Sequence, residues 1–453
     1  MRGLILFGTL LGTLGITFAY PYVGIMTWVW FSVMSPQDAV YTFQFLPLNL
    51  IIAVVALFSW FASREPKAPP GGMTAITFYA LFLWMTFNQF FFGVDISYSY
   101  TFWDRVWKIF LMGVVAGILT TSKVRFHALM WIIALSLGYW GVKGGLFTIA
   151  SGGGAHALGP GSSQIADNNQ FALAIVTVIP ILNYLRLHSG NRLIRFGLLG
   201  ATILCVVTVL GSYSRGGAVA LAVLGAAFWL RTKQKLVYPI AATIVIVPIL
   251  HFMPESFWTR IDTINSYQTD GSFQGRVDAW IVAWKFAVEH FPFGAGFYAL
   301  QLPRVYLQYS PDTTPHAAHS IYFQVLGENG FVGLALYLLL IAAAIIDYRT
   351  VILRTKSVPH LLWANDLARM LQLSLFAFCV GGAALSVAYY DIFVLLIWMS
   401  IALKAYTRQE QRKLVAPPSA EPSRSAVRAT TTVALDSNAS TSLVQRGFLG
   451  RSD

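Results

Sequence analysis

Apolar runs of roughly 15 to 25 residues, with few or no charges, recur along most of the chain. An α-helix needs about 20 such residues to cross the hydrocarbon core of a bilayer. Only 11% of the residues are charged and 56% are hydrophobic, whereas a soluble domain has about 25% charged residues. The sequence therefore predicts an all-α polytopic membrane protein and excludes a soluble enzyme and a disordered chain.

The positions of these runs predict about 12 transmembrane helices. The runs lie at 3–34, 46–62, 73–92, 105–121, 126–150, 169–186, 194–211, 216–230, 236–253, 319–347, 362–385 and 388–406. The first run is too long for one span, and Tyr20-Pro21 interrupts it. Because proline breaks or kinks a helix, this run forms either one kinked crossing or two short helices.

Basic residues set the orientation of the predicted spans. The net charge is +12, and Lys and Arg accumulate in the cytoplasmic loops of membrane proteins. If the runs alternate across the bilayer, the cluster Arg231, Lys233 and Lys235 shares a side with the other basic loops. The opposite short loops, near 35–45, 94–104, 151–168 and 386–391, contain no Lys or Arg. We therefore predict cytoplasmic termini, contact with membrane lipids and no binding of nucleic acid.

Two segments are too polar to be membrane core, and they divide the chain. Residues 254–318 form a long external loop, in which 277–287 has the periodicity of an amphipathic helix. Residues 407–453 are rich in Pro, Ser, Thr and Ala and are predicted to be a disordered cytoplasmic tail. On this division 1–253 holds transmembrane helices 1–9 and 319–406 holds helices 10–12.

Arg215 is the first candidate for chemistry, because it stands where the chain turns at the external face. Gly216 and Gly217 follow it and open the helix 216–230. A helix N-terminus favours an anion through its dipole and its exposed N–H groups. Arginine adds a planar cation that suits phosphate. The alternative is that Arg215 extends outward to lipid head groups.

Arg276 and Arg304 in the external loop could bind the same anionic ligand as Arg215. Arg276 stands at the start of the predicted loop helix, and Arg304 follows Pro303. The alternative is that they pair with acids of the same loop. These acids include Asp262, Asp270, Asp278 and Asp312.

His319 lies at the external mouth of the predicted helix 319–347. The positive end of a helix dipole disfavours imidazolium, so His319 is expected to be neutral near pH 7 and able to accept a proton. The alternative is a hydrogen bond to a loop carbonyl. His316 precedes it by three residues, but no third ligand follows closely, since Glu328 is nine residues away. We therefore expect no metal site.

Lys143 interrupts an apolar run in the sequence Gly-Val-Lys-Gly-Gly. A charge within a membrane span is costly and marks a functional candidate. Lys143 is therefore a further candidate for substrate binding. The alternative is that its long side chain extends outward to the membrane surface.

Several motifs resemble the bacterial O-antigen ligase and polymerase superfamily in order and position. They are SRGG at 214–217, GR at 275–276, FPFGAGF at 291–297, HS at 319–320 and QVLGENGFVG at 324–333. The stretches GVKGG at 141–145, GP at 159–160 and DNN at 167–169 resemble the ligase-like branch of that superfamily. The resemblance covers residues 1 to about 406.

The resemblance implies a GT-C-type glycosyltransferase in the bacterial inner membrane with its active site facing the periplasm. It implies a glycan donor on undecaprenyl pyrophosphate, a lipid A–core oligosaccharide acceptor and no nucleotide, metal or other cofactor. The essential positions of the family carry over to Arg215, Arg276 and His319, and less securely to Arg304. We therefore expect that the protein is an O-antigen ligase and that it is a monomer.

The chemistry of transfer agrees with these residues, but other activities stay open. Attack of a sugar hydroxyl on the donor needs a base, which His319 can supply, and positive charge on the leaving pyrophosphate, which Arg215 and Arg276 can supply. An O-antigen polymerase or a protein O-glycosylation ligase would use the same donor. A transporter is less consistent, because its ionisable residues usually lie near the midplane and not at one face.

Overall fold

The computed structural model describes residues 1–415 apart from 41–42, 44–45, 162, 233, 252–253, 256–257 and 259–270. Helices and turns account for the described part of the chain, which contains no β-strand. The helices are α1 (Arg2–Ala19), α2 (Pro21–Met34), α3 (Leu48–Ala62), α4 (Met73–Phe91), α5 (Ile96–Leu119), α6 (Lys123–Ala150), α7 (Asn168–His188), α8 (Arg192–Gly211), α9 (Arg215–Arg231), α10 (Val237–His251), α11 (Gly271–Glu289), α12 (Pro303–Tyr309), α13 (Ile321–Thr355), α14 (Leu362–Gly382) and α15 (Asp391–Val415). The all-α prediction is confirmed for these residues.

The apolar runs coincide with helices, and the first run forms two of them. Helix α1 ends at Ala19 and α2 begins at Pro21, where the missing N–H of proline costs nothing. By length and composition, four described helices can cross a bilayer, namely α6, α7, α8 and α13. The total of about 12 crossings stays a prediction.

Residues Met1–Thr407 form one compact unit, and the chain divides after Thr407. Residues 407–415 are helical as the end of α15, so the prediction of a disordered tail from 407 onward is wrong for them. The predicted disordered tail lies outside the described residues beyond that point. Most of the predicted external loop 254–318 is described, and its amphipathic segment is part of α11.

Helix α7 is the central helix of the first unit. The most apolar window of α7 is 78% buried, compared with 22% for the neighbouring α8. Helices α6, α8, α9 and α14 pack around it. Small residues let the backbones approach closely: a Cβ on Gly217 of α9 would stand 2.5 Å from the Cβ of Ala172 of α7. The N-terminal end of α7 is therefore held at the centre of one end of the bundle.

Helix α13 is interrupted at Gly330, whose φ of 68° and ψ of −170° are not helical. The break releases three backbone carbonyls, which other segments satisfy. The amides of Ala295 and Gly296 donate to Gly327 O and Glu328 O at 2.9 and 3.0 Å. Trp84 Nε1 donates to Asn329 O at 2.8 Å. The motifs at 291–297 and 324–333 are thus the two sides of one contact, which fixes the external loop to α13.

Gly330→Ala is expected to destabilise the protein strongly. A Cβ at this position would lie 2.1 Å from Pro292 O, and the left-handed φ disfavours any L side chain. We expect a lower melting temperature in detergent, from a loss of about 1–3 kcal/mol or more. Gly197→Ala in α8 is the control, because a Cβ there meets nothing within 4 Å. Equal melting temperatures for the two variants would show that the break does not need glycine.

Candidate active site

Two helix N-termini lie side by side at the end of the bundle. Asp167 caps α7 by accepting the Asn169 amide at 2.9 Å. Ser214 caps α9 by accepting the Gly217 amide at 3.0 Å. Asn168 Nδ2 donates to Ser212 O at 2.7 Å and joins the two ends. Both dipoles therefore present their positive ends to the same region, which favours a negatively charged ligand.

Arg215 is the first residue of α9, which places it at this paired N-terminus as the sequence predicts. Its side chain is half-buried. A Cβ on the next residue, Gly216, would lie 3.5 Å from the Cβ of Ala384. The segment that follows α14 therefore borders the start of α9, and it links Arg215 to the surroundings of His319.

The sequence predicts that His319 begins the helix 319–347. In the structure α13 begins at Ile321, so His319 lies two residues before the helix. Its φ is 42°, a left-handed value that is uncommon for a residue with a side chain. Its backbone amide donates to Ser386 Oγ at 2.8 Å. No described residue forms a hydrogen bond with its ring, so the imidazole is available to a substrate. Strained backbone of this kind persists where surrounding structure enforces it, often at functional sites.

The surroundings of His319 keep its imidazole neutral. Burial lowers its pKa below the ordinary value of 6.5, and the nearby guanidinium of Arg276 lowers it further. Asp167 raises this pKa and His316 lowers it, both by smaller amounts. His319, Arg276, Asp167 and His316 are therefore close enough to interact electrostatically. They come from the N-cap of α7, from α11 and from the segment before α13.

Arg276 reaches this neighbourhood because α11 is fixed to the segment that leads into α13. Trp280 Nε1 donates to Ala318 O at 2.6 Å, and its ring stacks on Phe323 with centroids 5.1 Å apart. A Cβ on Gly275 would stand 2.8 Å from Cδ2 of His316, so a side chain at position 275 would displace the His316 ring. Arg276 follows directly and lies within the first turns of α11.

Arg304 and Lys143 are directed elsewhere. Arg304 forms an ion pair with Asp95, the N-cap residue of α5. Arg304 is thus paired with an acid, but this acid does not belong to its own loop. Two of the loop acids that the sequence offered as partners, Asp262 and Asp270, lie outside the described residues. Lys143 is exposed and its Nζ lies 4.5 Å from the ring centroid of Trp140. Neither contact joins these cations to His319.

His316 is exposed, and its Nε2 lies 2.9 Å from Thr314 Oγ1. Its contribution to the site is its packing on Gly275 and its electrostatic effect on His319. Among the described residues, no three His, Cys, Asp or Glu side chains are grouped so that they could hold a metal ion.

Two features of the site have no recognisable signal in the sequence. Ser386, which binds the His319 amide, lies in a short loop with no recognisable motif. Backbone strain is also concentrated here, since the described non-glycine residues with positive φ include Tyr213, just before Ser214, and Tyr298, whose amide donates to Glu328 Oε1 at 3.2 Å. Asp167 belongs to the DNN stretch noted in the sequence, but its electrostatic effect on His319 depends on the tertiary fold.

The apolar helices of membrane-spanning length indicate a multi-pass membrane protein. Residues 200–338 match the family model described as O-antigen ligase, which confirms for this part of the chain the predicted resemblance to the O-antigen ligase and polymerase superfamily. Residues 1–190 match a family of unknown function, DUF5935. No curated protein matches the chain. Arg215, Arg276 and His319 all fall inside the O-antigen ligase match.

Proposed function

We propose that this protein is an O-antigen ligase with a GT-C-type fold, which transfers a glycan from undecaprenyl pyrophosphate to the lipid A–core oligosaccharide. The observation that carries the proposal is a half-buried histidine, His319, whose pKa is lowered by burial and by the guanidinium of Arg276, close to Asp167 at the N-terminus of α7. A transfer that expels pyrophosphate needs such a base and such positive charge. The site faces the periplasm of the bacterial inner membrane, and the protein acts as a monomer.

The reaction is a single displacement at the anomeric carbon. His319 takes the proton from an acceptor hydroxyl, whose oxygen forms the new bond to C1 of the donor sugar. The bond from C1 to the pyrophosphate oxygen breaks, and the lipid pyrophosphate leaves with the electron pair. One displacement inverts the anomeric centre. His319 then releases its proton to water.

The leaving group is stabilised by fixed positive charge. Arg276 and Arg215 bind the pyrophosphate oxygens, and the N-termini of α7 and α9 add their dipoles. Preorganised charge of this kind acts on the transition state without reorganisation of solvent. We therefore expect transfer without a divalent metal or another cofactor.

The external loop covers this site. The external loop is attached at two points: Trp280 of α11 donates to Ala318 O in the segment before α13, and the amides of Ala295 and Gly296 donate to carbonyls of α13. The two attachments hold Arg276 over the mouth of the bundle. We infer that the loop is a lid on the sugar side of the donor, while the lipid tail lies among the apolar helices.

The activity should be constant through neutral pH and should fall only in acid. The pKa of His319 lies below 6.5, so the base is already neutral at pH 7 and is lost when the pH falls through that lowered value. The measurement is the pH profile of kcat/KM. Asp167→Asn keeps a helix cap but removes a charge that raises this pKa, so its acid limb should move to lower pH. An unmoved limb would assign the titration to another group.

Deletion of the gene in its host, with gel analysis of lipopolysaccharide, tests the function. Core without attached polymer is the expected result. Core that carries one repeat unit would indicate an O-antigen polymerase instead. Normal lipopolysaccharide together with an unglycosylated protein would indicate a protein O-glycosylation ligase. Complementation with the unaltered gene, but not with an Arg276→Gln variant, shows that the phenotype depends on the site described here.

A further inference from the structure

A polar cavity of about 230 Å³ adjoins the candidate active site on the side of Ser386. Ser386 lines this cavity, and its Oγ accepts the backbone amide of His319 at 2.8 Å. Ser386 thus lines the cavity and also binds the backbone of His319, the proposed base. Arg105, Gln164, Gln170, Gln324 and Tyr298 contribute further polar groups to its lining.

Two of these polar side chains have no partner in the described part of the protein. Arg105 donates no hydrogen bond and forms no ion pair with a described residue, and Gln170 likewise forms no hydrogen bond. A guanidinium has five donors and an amide has two donors and an acceptor. Arg105 is exposed, so water satisfies its donors when no ligand is bound. Polar groups that converge on a concave pocket are a feature of ligand sites.

The acid on which Arg105 acts electrostatically, Asp391, already has other hydrogen-bond partners. Asp391 attracts Arg105 electrostatically, but its carboxylate accepts Ser32 Oγ at 2.5 Å and Gln164 Nε2 at 3.2 Å. No oxygen of Asp391 lies within ion-pair distance of Arg105. The guanidinium is therefore free to bind an anionic group that enters the cavity.

Aromatic rings and buried amides complete the lining. Phe102 and Tyr298 stack with centroids 4.0 Å apart, and both border the cavity. Gln324 is fixed beneath it, because its Nε2 donates to Glu328 Oε1 at 3.3 Å and its Oε1 accepts the Ala388 amide at 3.2 Å. Aromatic faces suit the C–H faces of a sugar ring, and amides suit its hydroxyls. The volume lies below the roughly 300–1,000 Å³ of sites for larger ligands, so it fits one sugar unit.

We propose that this cavity binds one acidic sugar unit of a substrate glycan, with Arg105 on its anionic group and Gln170 on its hydroxyls. The inference rests on the proposed function, since it places a sugar next to the base that starts transfer. The anionic group is a carboxylate or a phosphate substituent, and the unit belongs to the donor or to the acceptor. Arg105 is thus a specificity-determining residue.

Binding of two matched probes to the full chain in lipid nanodiscs tests the proposal. Glucuronic acid and glucose differ at C6, where one has a carboxylate and the other a hydroxymethyl group, and saturation-transfer NMR reports millimolar binding of either. We expect glucuronic acid to bind about tenfold more tightly than glucose, because a charge-assisted hydrogen bond lowers the dissociation constant by about a factor of ten. Arg105→Gln should remove this preference, and Arg105→Lys should retain part of it.

Lys108→Gln is the matched control. Lys108 lies three residues along the same helix and pairs with Asp104 at 2.6 Å, and it does not line the cavity. Its replacement removes the same charge from α5 and should leave the preference intact. Equal binding of the two sugars, an unchanged preference in Arg105→Gln or an equal loss in Lys108→Gln would each overturn the proposal.

The transfer assay then identifies which substrate carries the acidic unit. Arg105→Gln should raise KM for the donor or for the acceptor, but not for both, with kcat little changed. Unaltered KM values for both substrates would overturn the proposal. The binding measurement needs no turnover, so a protein that binds the acid but transfers no glycan would refute the ligase function alone. Active transfer without a preference for the acid would refute only the sugar site.

Discussion

Replacement of His319 by alanine should lower glycosyl transfer by about 10²- to 10⁴-fold while donor affinity changes little. The imidazole has no hydrogen bond to a described residue, so its removal leaves no protein group unpaired. The backbone contact with Ser386 uses the amide of residue 319 and is retained. Arg276 and Arg215 still hold the pyrophosphate, which keeps the donor bound.

The left-handed backbone at His319 requires a second variant. Alanine is unfavourable at a φ of 42°, whereas asparagine and glycine tolerate this region. If the loss in His319→Ala came from the backbone, His319→Asn and His319→Gly would recover transfer. We expect both to stay inactive, because neither side chain is a base.

His316→Ala is the control for a general effect of a nearby histidine. His316 is exposed and contacts Thr314 and Gly275, so its loss should reduce transfer only severalfold. The measurements are the transfer rate and the affinity for the undecaprenyl-pyrophosphate-linked donor in each variant. A collapse of donor affinity in His319→Ala would make this histidine a pyrophosphate ligand. Survival of transfer would make its role structural.

The helices and the arginine of α9 could be predicted because their signals are local. Apolar runs report helix length and burial directly, and Tyr20-Pro21 showed where the first run divides. Ser214 before Arg215 is a helix cap, and Gly216 and Gly217 suit close packing, so the start of α9 was readable. These features depend on neighbours within a few positions of the sequence.

The remaining features of the site depend on contacts between distant residues. Arg304 pairs with Asp95, 209 positions away, and no local pattern distinguishes that partner from the loop acids. The left-handed φ of His319 is set by the packing of the loop against Ser386 and α11, not by its own residue type. The break at Gly330 is compensated by residues 295 and 296 and by Trp84. The cavity of Arg105 likewise joins α5, α7, α13 and the loop before α15.

A second large effect is expected from Arg215→Lys, which should fail nearly as badly as Arg215→Ala. Lysine keeps the charge but replaces the planar fork, which grips two phosphate oxygens, with a single ammonium group. Loss of one preorganised donor to a developing anion typically costs about 10²- to 10³-fold in rate. Because Arg215 is the first residue of α9 and Ser214 provides the cap, the helix should form in both variants.

Arg304→Lys provides the comparison, since it makes the same chemical change at another arginine of the protein. Arg304 is paired with Asp95, and lysine keeps the positive charge of this exposed ion pair although it loses the planar guanidinium. This variant should therefore lose far less activity. The measurement is kcat/KM for the donor, together with the melting temperature of each purified variant. Strong loss in Arg215→Lys with an unchanged melting temperature supports direct contact with the pyrophosphate. Near-normal turnover would instead make Arg215 an anchor for lipid head groups, and the charge on the leaving group would then have to come from Arg276 and the two helix N-termini alone.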